Sequence, residues 1–253
     1  MADADQLDRL AAQLRAADQI VVLTGAGIST ESGIPDFRGP NGVWTKDPAA
    51  EKTATLQYYM GDPEVRQRAW QNRLKSEMWS AAPNPAHEAL VALERKDALH
   101  ALVTQNVDGL HQAAGQSPGI VVEIHGNVRE AKCMTCGWRG PMGDVLERVR
   151  AGNPDPACEQ SGGILKTATI SFGENLVADD LERAQRAAQS ADVLLALGTS
   201  LVVFPAAALP EIACRAGARL VIVNAEETPF DPIADVVLRD QLGDVLPALA
   251  ALV

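Results

Sequence analysis

Ile20-Val21-Val22-Leu23-Thr24-Gly25-Ala26-Gly27-Ile28-Ser29 joins an unbroken, β-branched apolar run to two glycines one residue apart. Such a run suits a strand buried on both faces, as in a parallel sheet. Glycines directly after it let backbone amides approach an anion at a helix N-terminus, so Gly25, Ala26 and Gly27 read as a dinucleotide cradle. The spacing departs from the usual fingerprint: Thr30 stands where a third glycine is expected, and the next glycine is Gly33. A second segment, Thr104-Gln105-Asn106-Val107-Asp108-Gly109-Leu110-His111, also follows an apolar run. Together the two segments make a composite phosphate-and-ribose site.

Outward from this pair, strand-like runs recur at Ala101-Thr104, Ile120-Ile124, Val193-Leu197, Leu220-Val223 and Val236-Leu238. Most are separated by segments with helical apolar spacing, and that alternation predicts a Rossmann-like, doubly wound, mostly parallel sheet covered on both faces. Asn84-Pro85 is a helix start, with Ala86, Leu90 and Leu93 as its apolar stripe. Pro205 and Gly217 bracket another helix. Residues 31–80, polar and aromatic, and residues 131–170, with three of the four cysteines, break the alternation. They are expected to be insertions forming a smaller module, leaving 1–30, 81–130 and 171–253 as the large domain of one catalytic unit.

In 253 residues, 47% of them hydrophobic, no apolar run nears the ~20 residues of a membrane span, and the chain is long enough for a large core. The first residues are acidic and continue as an amphipathic helix through Leu7, Leu10 and Leu14, unlike a secretion signal, so a cytoplasmic protein is expected. A net charge of −11 argues against a nucleic-acid partner and is compatible with a lysine-rich one.

Beside the cradle, Asp36, Phe37 and Arg38 combine an acid, an aromatic ring and a cation after Pro35; Arg38 could pair with a phosphate and Phe37 could cover a ring. An ordinary turn with an Asp-Arg pair fits the same residues. Gly198, Thr199 and Ser200 end one strand, and Asn224 ends the next, where a doubly wound fold places a ribose-binding group; Glu226 is its rival. Of four histidines, His125 follows the Ile120-Ile124 run at the ligand-binding edge, where a neutral imidazole can act as general base. His87 and His100 read as structural or solvated, and His111 as a buttress of its loop.

These blocks, with Phe172-Gly173-Glu174 and Val223-Asn224, resemble the sirtuins, NAD-dependent protein lysine deacylases, across nearly the full chain. The resemblance implies a Rossmann-like large domain, a small helical and zinc-ribbon-like module, and NAD consumed as co-substrate in the cleft between them. It implies His125 as the base, acting on a ribose hydroxyl, with Asn106 and Asp108 at the nicotinamide and its ribose and Gln105 holding the ribose. Nicotinamide leaves, the acetyl-lysine carbonyl oxygen attacks the anomeric carbon, and water yields free lysine and O-acetyl-ADP-ribose. An acyl-lysine protein would lie extended between Phe172-Gly173-Glu174 and Leu201-Pro205, with Glu174 attracting basic flanking residues. Core packing is the other reading of Phe172 and Phe204. Relatives that prefer dicarboxylate acyl groups carry Tyr-x-x-Arg where this chain has Trp70-Gln71-Asn72-Arg73, so an acetyl group is expected.

Cys133-x-x-Cys136 is half of a tetrahedral zinc knuckle, while Cys158-x-x-Ser161 has the spacing of the other half with serine in the last place. Cys133, Cys136 and Cys158 are the expected metal ligands, with water, Asp155 or Glu159 completing the set and a lowered affinity. Cys214, in a predicted helix between two strands, reads as a buried apolar residue, not a ligand. A mono-ADP-ribosyltransferase and a non-catalytic NAD sensor could use the same cradle; His125 and the Phe172-Gly173-Glu174 block favour the deacylase.

Overall fold

The computed structural model describes residues 4–37, 39, 42–47 and 50–253, and among these described residues there are nine strands. They are β1 (Ile20–Thr24), β2 (Leu99–Thr104), β3 (Val121–Glu123), β4 (Gly126–Cys133), β5 (Arg139–Pro141), β6 (Leu165–Thr169), β7 (Val193–Leu197), β8 (Arg219–Val223) and β9 (Val236–Leu238). Six of them pair in the order β3-β2-β1-β7-β8-β9, and every pairing is parallel. These are the six runs read from the sequence. The winding direction reverses between β1 and β7, so a crevice opens beyond their carboxyl ends.

Both faces of this sheet are covered, which is why its strands are apolar without alternation. Val22, Leu102, Leu195 and Val221 pack with the helices Ala4–Arg15, Pro85–Arg95 and Leu242–Leu252. Val21, Leu23, Val103, Leu194 and Ile222 pack on the other face with Ala178–Ser190 and Leu209–Arg215. The Pro85–Arg95 helix starts as expected, because Asn84 Oδ1 accepts from the Ala86 and His87 amides at 3.0 and 3.4 Å. Among the described residues, no helix is long and apolar enough to cross a membrane.

A second, antiparallel sheet runs β5-β4-β6. It begins at Gly126, directly after His125, so the connection out of the parallel sheet leads straight into it. Its core joins Cys133, Cys158 and Leu165 to Met142, Val145 and Leu146 of the helix Met142–Arg150 and to Trp70 of the helix Pro63–Leu74. Sequence periodicity shows none of these three strands. They are short or charged, and Arg129, Glu130 and Lys132 interrupt β4.

Candidate active site

The two glycine segments meet at the switch between β1 and β7. Gly25 N donates to Leu197 O at 3.0 Å and Gly27 N to Gly198 O at 2.8 Å. A Cβ on Gly25 or Gly27 would lie 2.7 Å from Gly198 or Thr199 atoms, and one on Gly198 would lie 2.5 Å from Ile28 N. The glycines therefore allow two backbones to cross, and two of the amides expected to cradle an anion are spent on that crossing. The segment after them is also a 3-10 helix, Ala26–Ser32, where an α-helix N-terminus was expected. Thr30, in the place of the third glycine, ties its hydroxyl to Gly27 O at 2.9 Å. Gly198 has φ +59 as well. Gly198→Ala is expected to destabilise the protein by roughly 2–5 kcal/mol, from the left-handed backbone and the overlap together, read as a lowered urea midpoint at unchanged slope.

Behind the crossing, the 104–108 loop is held by a buried network. Asn106 Nδ2 donates to Gly25 O at 3.0 Å and to Ser29 Oγ at 3.1 Å, and Ser29 Oγ donates to Asp108 Oδ2 at 2.8 Å. Asp108 Oδ1 accepts from Leu110 N at 2.9 Å, and the Asn106 amide donates to Thr104 Oγ1 at 3.1 Å. Ser29 is thus the hub that joins the first glycine segment to the second. Nothing in its sequence context marked it beyond its place in the block. Thr24 Oγ1 bridges Thr104 Oγ1 and His111 Nε2 at 2.8 and 3.0 Å. Burial depresses His111 to about 3 and the adjacent His87 to about 4, so both rings are neutral struts at ordinary pH. The buttress expected of His111 is what the structure shows.

His125 lies between β3 and β4, with its Nδ1 3.1 Å from Gln105 O. A carbonyl can only accept, so Nδ1 carries the proton and Nε2 keeps its lone pair. Burial pushes this imidazole below the usual histidine value, and the Gln105 carbonyl pulls it partly back. The Gln105 side chain itself reaches Thr199 Oγ1 at 2.9 Å, which fastens the end of β2 to the end of β7.

A cleft of about 1400 Å³ runs between the two sheets, and its walls carry Gly25, Asn106, Asp108, His125, Ser200 and Asn224. Asp36 and Phe37 line it as well, but Arg38 lies outside the described residues. Asp36 Oδ1 caps its own turn through Gly39 N at 3.0 Å, and Phe37 stacks on Trp44 with centroids 4.8 Å apart. Asn224 Nδ2 donates to Glu226 O at 2.9 Å, so the rivals for the ribose position share one loop. Phe172 and Phe204 are 36% and 69% exposed, which overturns core packing as the reading of either. Glu174 is bound by Lys132 and Lys166 at 2.5 and 3.0 Å, and the attraction for basic flanking residues expected of it is spent inside the molecule. Arg73, half-buried, donates to Thr167 Oγ1 at 3.3 Å.

The family model described as the Sir2 family matches residues 25–205. The chain is 54% identical to NAD-dependent protein deacetylase 2 of Streptomyces coelicolor, over 91% of this chain and 95% of that protein. It belongs to the Sir2 family. NAD-dependent protein deacetylase 1 of Pyrobaculum aerophilum is 44% identical, over 97% of this sirtuin and 94% of its own length. A solved Sir2 variant with deacetylated p53 peptide and 3'-O-acetyl-ADP-ribose is similar at TM-score 0.90 and 37% identity, covering 97% of each chain. A Sir2 structure with p53 peptide and NAD is similar at 0.84 and 37%, covering 94% of each.

Away from the cleft, this sirtuin gathers Cys133, Cys136 and Cys158 with their sulfur atoms within 4.8 Å of one another. Ser161 Oγ is 3.4 Å from Cys133 Sγ and Cys136 Sγ is 3.8 Å from Cys158 Sγ, so three thiols and a hydroxyl converge on one point. The Thr135 amide donates to Cys133 Sγ at 3.4 Å, the kind of support that thiolate ligands receive. The proposed fourth partners Asp155 and Glu159 are engaged elsewhere: Asp155 pairs with Arg66 at 2.8 Å and Glu159, largely exposed, faces Arg148 at 3.6 Å. Ser161, rather than either carboxylate, is thus the residue set against the three thiols. The donor set fits zinc, with one neutral oxygen in place of a thiolate. Cys214 lies on the Leu209–Arg215 helix against the parallel sheet, outside this cluster.

Proposed function

We propose that this sirtuin removes acetyl groups from protein lysines in an NAD-dependent reaction, releasing nicotinamide and passing the acetyl group to ADP-ribose. The observation that carries the reading is His125: an imidazole held by Gln105 O through one nitrogen, with the other left basic, on the wall of a cleft at the sheet's switch point. Proteins that share its family and much of its sequence are named for this activity, and similar Sir2 structures hold peptide, NAD and 3'-O-acetyl-ADP-ribose.

NAD supplies an anomeric carbon that becomes electron-poor as nicotinamide leaves. Asn106, with its Nδ2 committed to Gly25 and Ser29, keeps Oδ1 as an acceptor for the ring amide. Asp108 shares its carboxylate between Ser29 and the Leu110 amide, and so holds Asn106 in place from the same wall. Gln105, whose Nε2 is on Thr199, offers Oε1 to a ribose hydroxyl. Gly25, Ala26, Gly27, Gly198, Thr199, Ser200 and Asn224 line the dinucleotide path with small or amide groups, and Asp36 and Phe37 stand beside it. His125 takes the proton of a ribose hydroxyl as that oxygen attacks the acyl carbon, and the buried wall keeps bulk water away. The acyl-lysine peptide enters between the exposed Phe172 and Phe204, with residues 31–80 and 131–170 as the smaller module over the cleft. Cys133, Cys136 and Cys158, with Ser161 beside them, would hold a zinc ion, whose part would be to fold the antiparallel sheet. We place the protein in the cytoplasm.

Nicotinamide release measured with and without an acetyl-lysine peptide tests the reading. Release that depends on the peptide is expected; equal release in its absence points to an NAD hydrolase or transferase.

A further inference from the structure

Lys166 is one of the most deeply buried charged residues of the protein, 2% exposed on β6. Its Nζ donates to Thr167 O at 3.3 Å and Thr169 O at 2.5 Å and pairs with Glu174 Oε2 at 3.0 Å. Lys132, its partner across the β4–β6 ladder, reaches the other oxygen, Glu174 Oε1, at 2.5 Å. Two ammonium groups thus share one carboxylate, and Arg73 adds a third positive charge nearby. Neutralising Glu174 needs only one of them. A second buried lysine is costly to desolvate, and a methionine would fill its volume without that cost.

What Lys166 does beyond neutralisation is reach two carbonyls at the end of β6 and link them to the turn that follows. Glu174 Oε2, its partner, also accepts from Ser171 N at 3.0 Å, and Glu174 N returns to Ser171 O at 2.9 Å. The same turn is tied to the site on its other flanks: Ile170 N donates to His125 O at 2.8 Å, and Phe172 exchanges bonds with Ala54 O and Leu56 N at 2.8 and 2.9 Å. Residues 170–174 are therefore a junction between the base His125, the turn at 54–56 between two short helices, and the lysine pair. Lys132 holds only the carboxylate, whereas Lys166 holds the carboxylate and both carbonyls.

We propose that Lys166 is a positioning residue for acyl-peptide binding, setting the 170–174 turn beside His125 through Glu174 and the Thr167 and Thr169 carbonyls. This rests on the deacetylase reading only where the turn is assigned to peptide. Lys166→Met should raise the peptide KM about tenfold or more, with kcat within about twofold and the KM for NAD unchanged; Lys166→Arg should recover most of the loss. Lys132→Met, which leaves Lys166 on Glu174, should raise the peptide KM much less. Amide hydrogen exchange of the free protein gives a readout that needs no turnover. The Ser171 amide should exchange about tenfold or more faster in Lys166→Met while the β1 amides keep their protection, which also shows that the variant is folded. Unchanged Ser171 exchange overturns the positioning role even if the protein proves not to be a deacetylase. A fall in kcat at constant peptide KM, or equal effects of Lys132→Met and Lys166→Met, overturns it as well.

Discussion

His125→Ala should lower deacetylation roughly 100- to 10,000-fold, the range over which a positioned general base contributes, while NAD still binds. The side chain makes one hydrogen bond, to Gln105 O, and the anchor for Ile170 is the His125 backbone carbonyl, which alanine keeps. The variant is thus expected to fold, and isothermal titration with NAD separates loss of chemistry from loss of the site. The pH profile carries a second consequence. Burial holds His125 below the ordinary value of 6.5, so the neutral imidazole, competent as a base, predominates at that pH. The acid limb of kcat/KM should have its midpoint below 6.5 and vanish with the imidazole in His125→Ala. A midpoint above 6.5 would mean that another group limits the reaction or that the carbonyl bond outweighs desolvation.

Chelation should unfold the antiparallel sheet and spare the parallel one. Cys133 and Cys158 are buried members of the small core, with Leu165, Met142 and Trp70, so metal bound there is part of what holds β4 and β6 together. Structural zinc in small domains is worth on the order of 10–16 kcal/mol, far more than a core of this size supplies alone. Three thiolates and the Ser161 hydroxyl should give less than four thiolates. Ser161→Cys is therefore expected to bind zinc at least about tenfold tighter, or about 1.4 kcal/mol, in competition with a chromogenic chelator. Hydrogen exchange after chelation should show lost protection across residues 126–169 and intact protection in β1, β2, β7 and β8. Protection that survives chelation in β4 would show that the small core stands without metal, and equal affinities would remove Ser161 from the fourth corner.

The parallel sheet was legible because burial on both faces leaves Ile20-Leu23 and Val193-Leu197 apolar at every position. Strands β4, β5 and β6 were not: β5 has only 3 residues, and charged residues such as Glu130 and Lys132 in β4 and the buried Lys166 in β6 mask any two-residue period. Spacing located the cysteines because a knuckle is a local device, and it located the serine in the fourth place for the same reason. The glycines were read as a cradle of amides; the crossing that takes up the Gly25 and Gly27 amides was not legible, because Gly198 lies far along the chain. Ser29, a hub with two polar partners in space, and Lys166, a buried cation, owe their roles to contacts that no local pattern encodes.

The most direct measurement is mass spectrometry of all products from one turnover of acetyl-lysine peptide and NAD. Equal amounts of nicotinamide, deacetylated peptide and O-acetyl-ADP-ribose are expected. Free acetate with ADP-ribose, or ADP-ribose attached to the peptide, would contradict acetyl transfer to the ribose at His125.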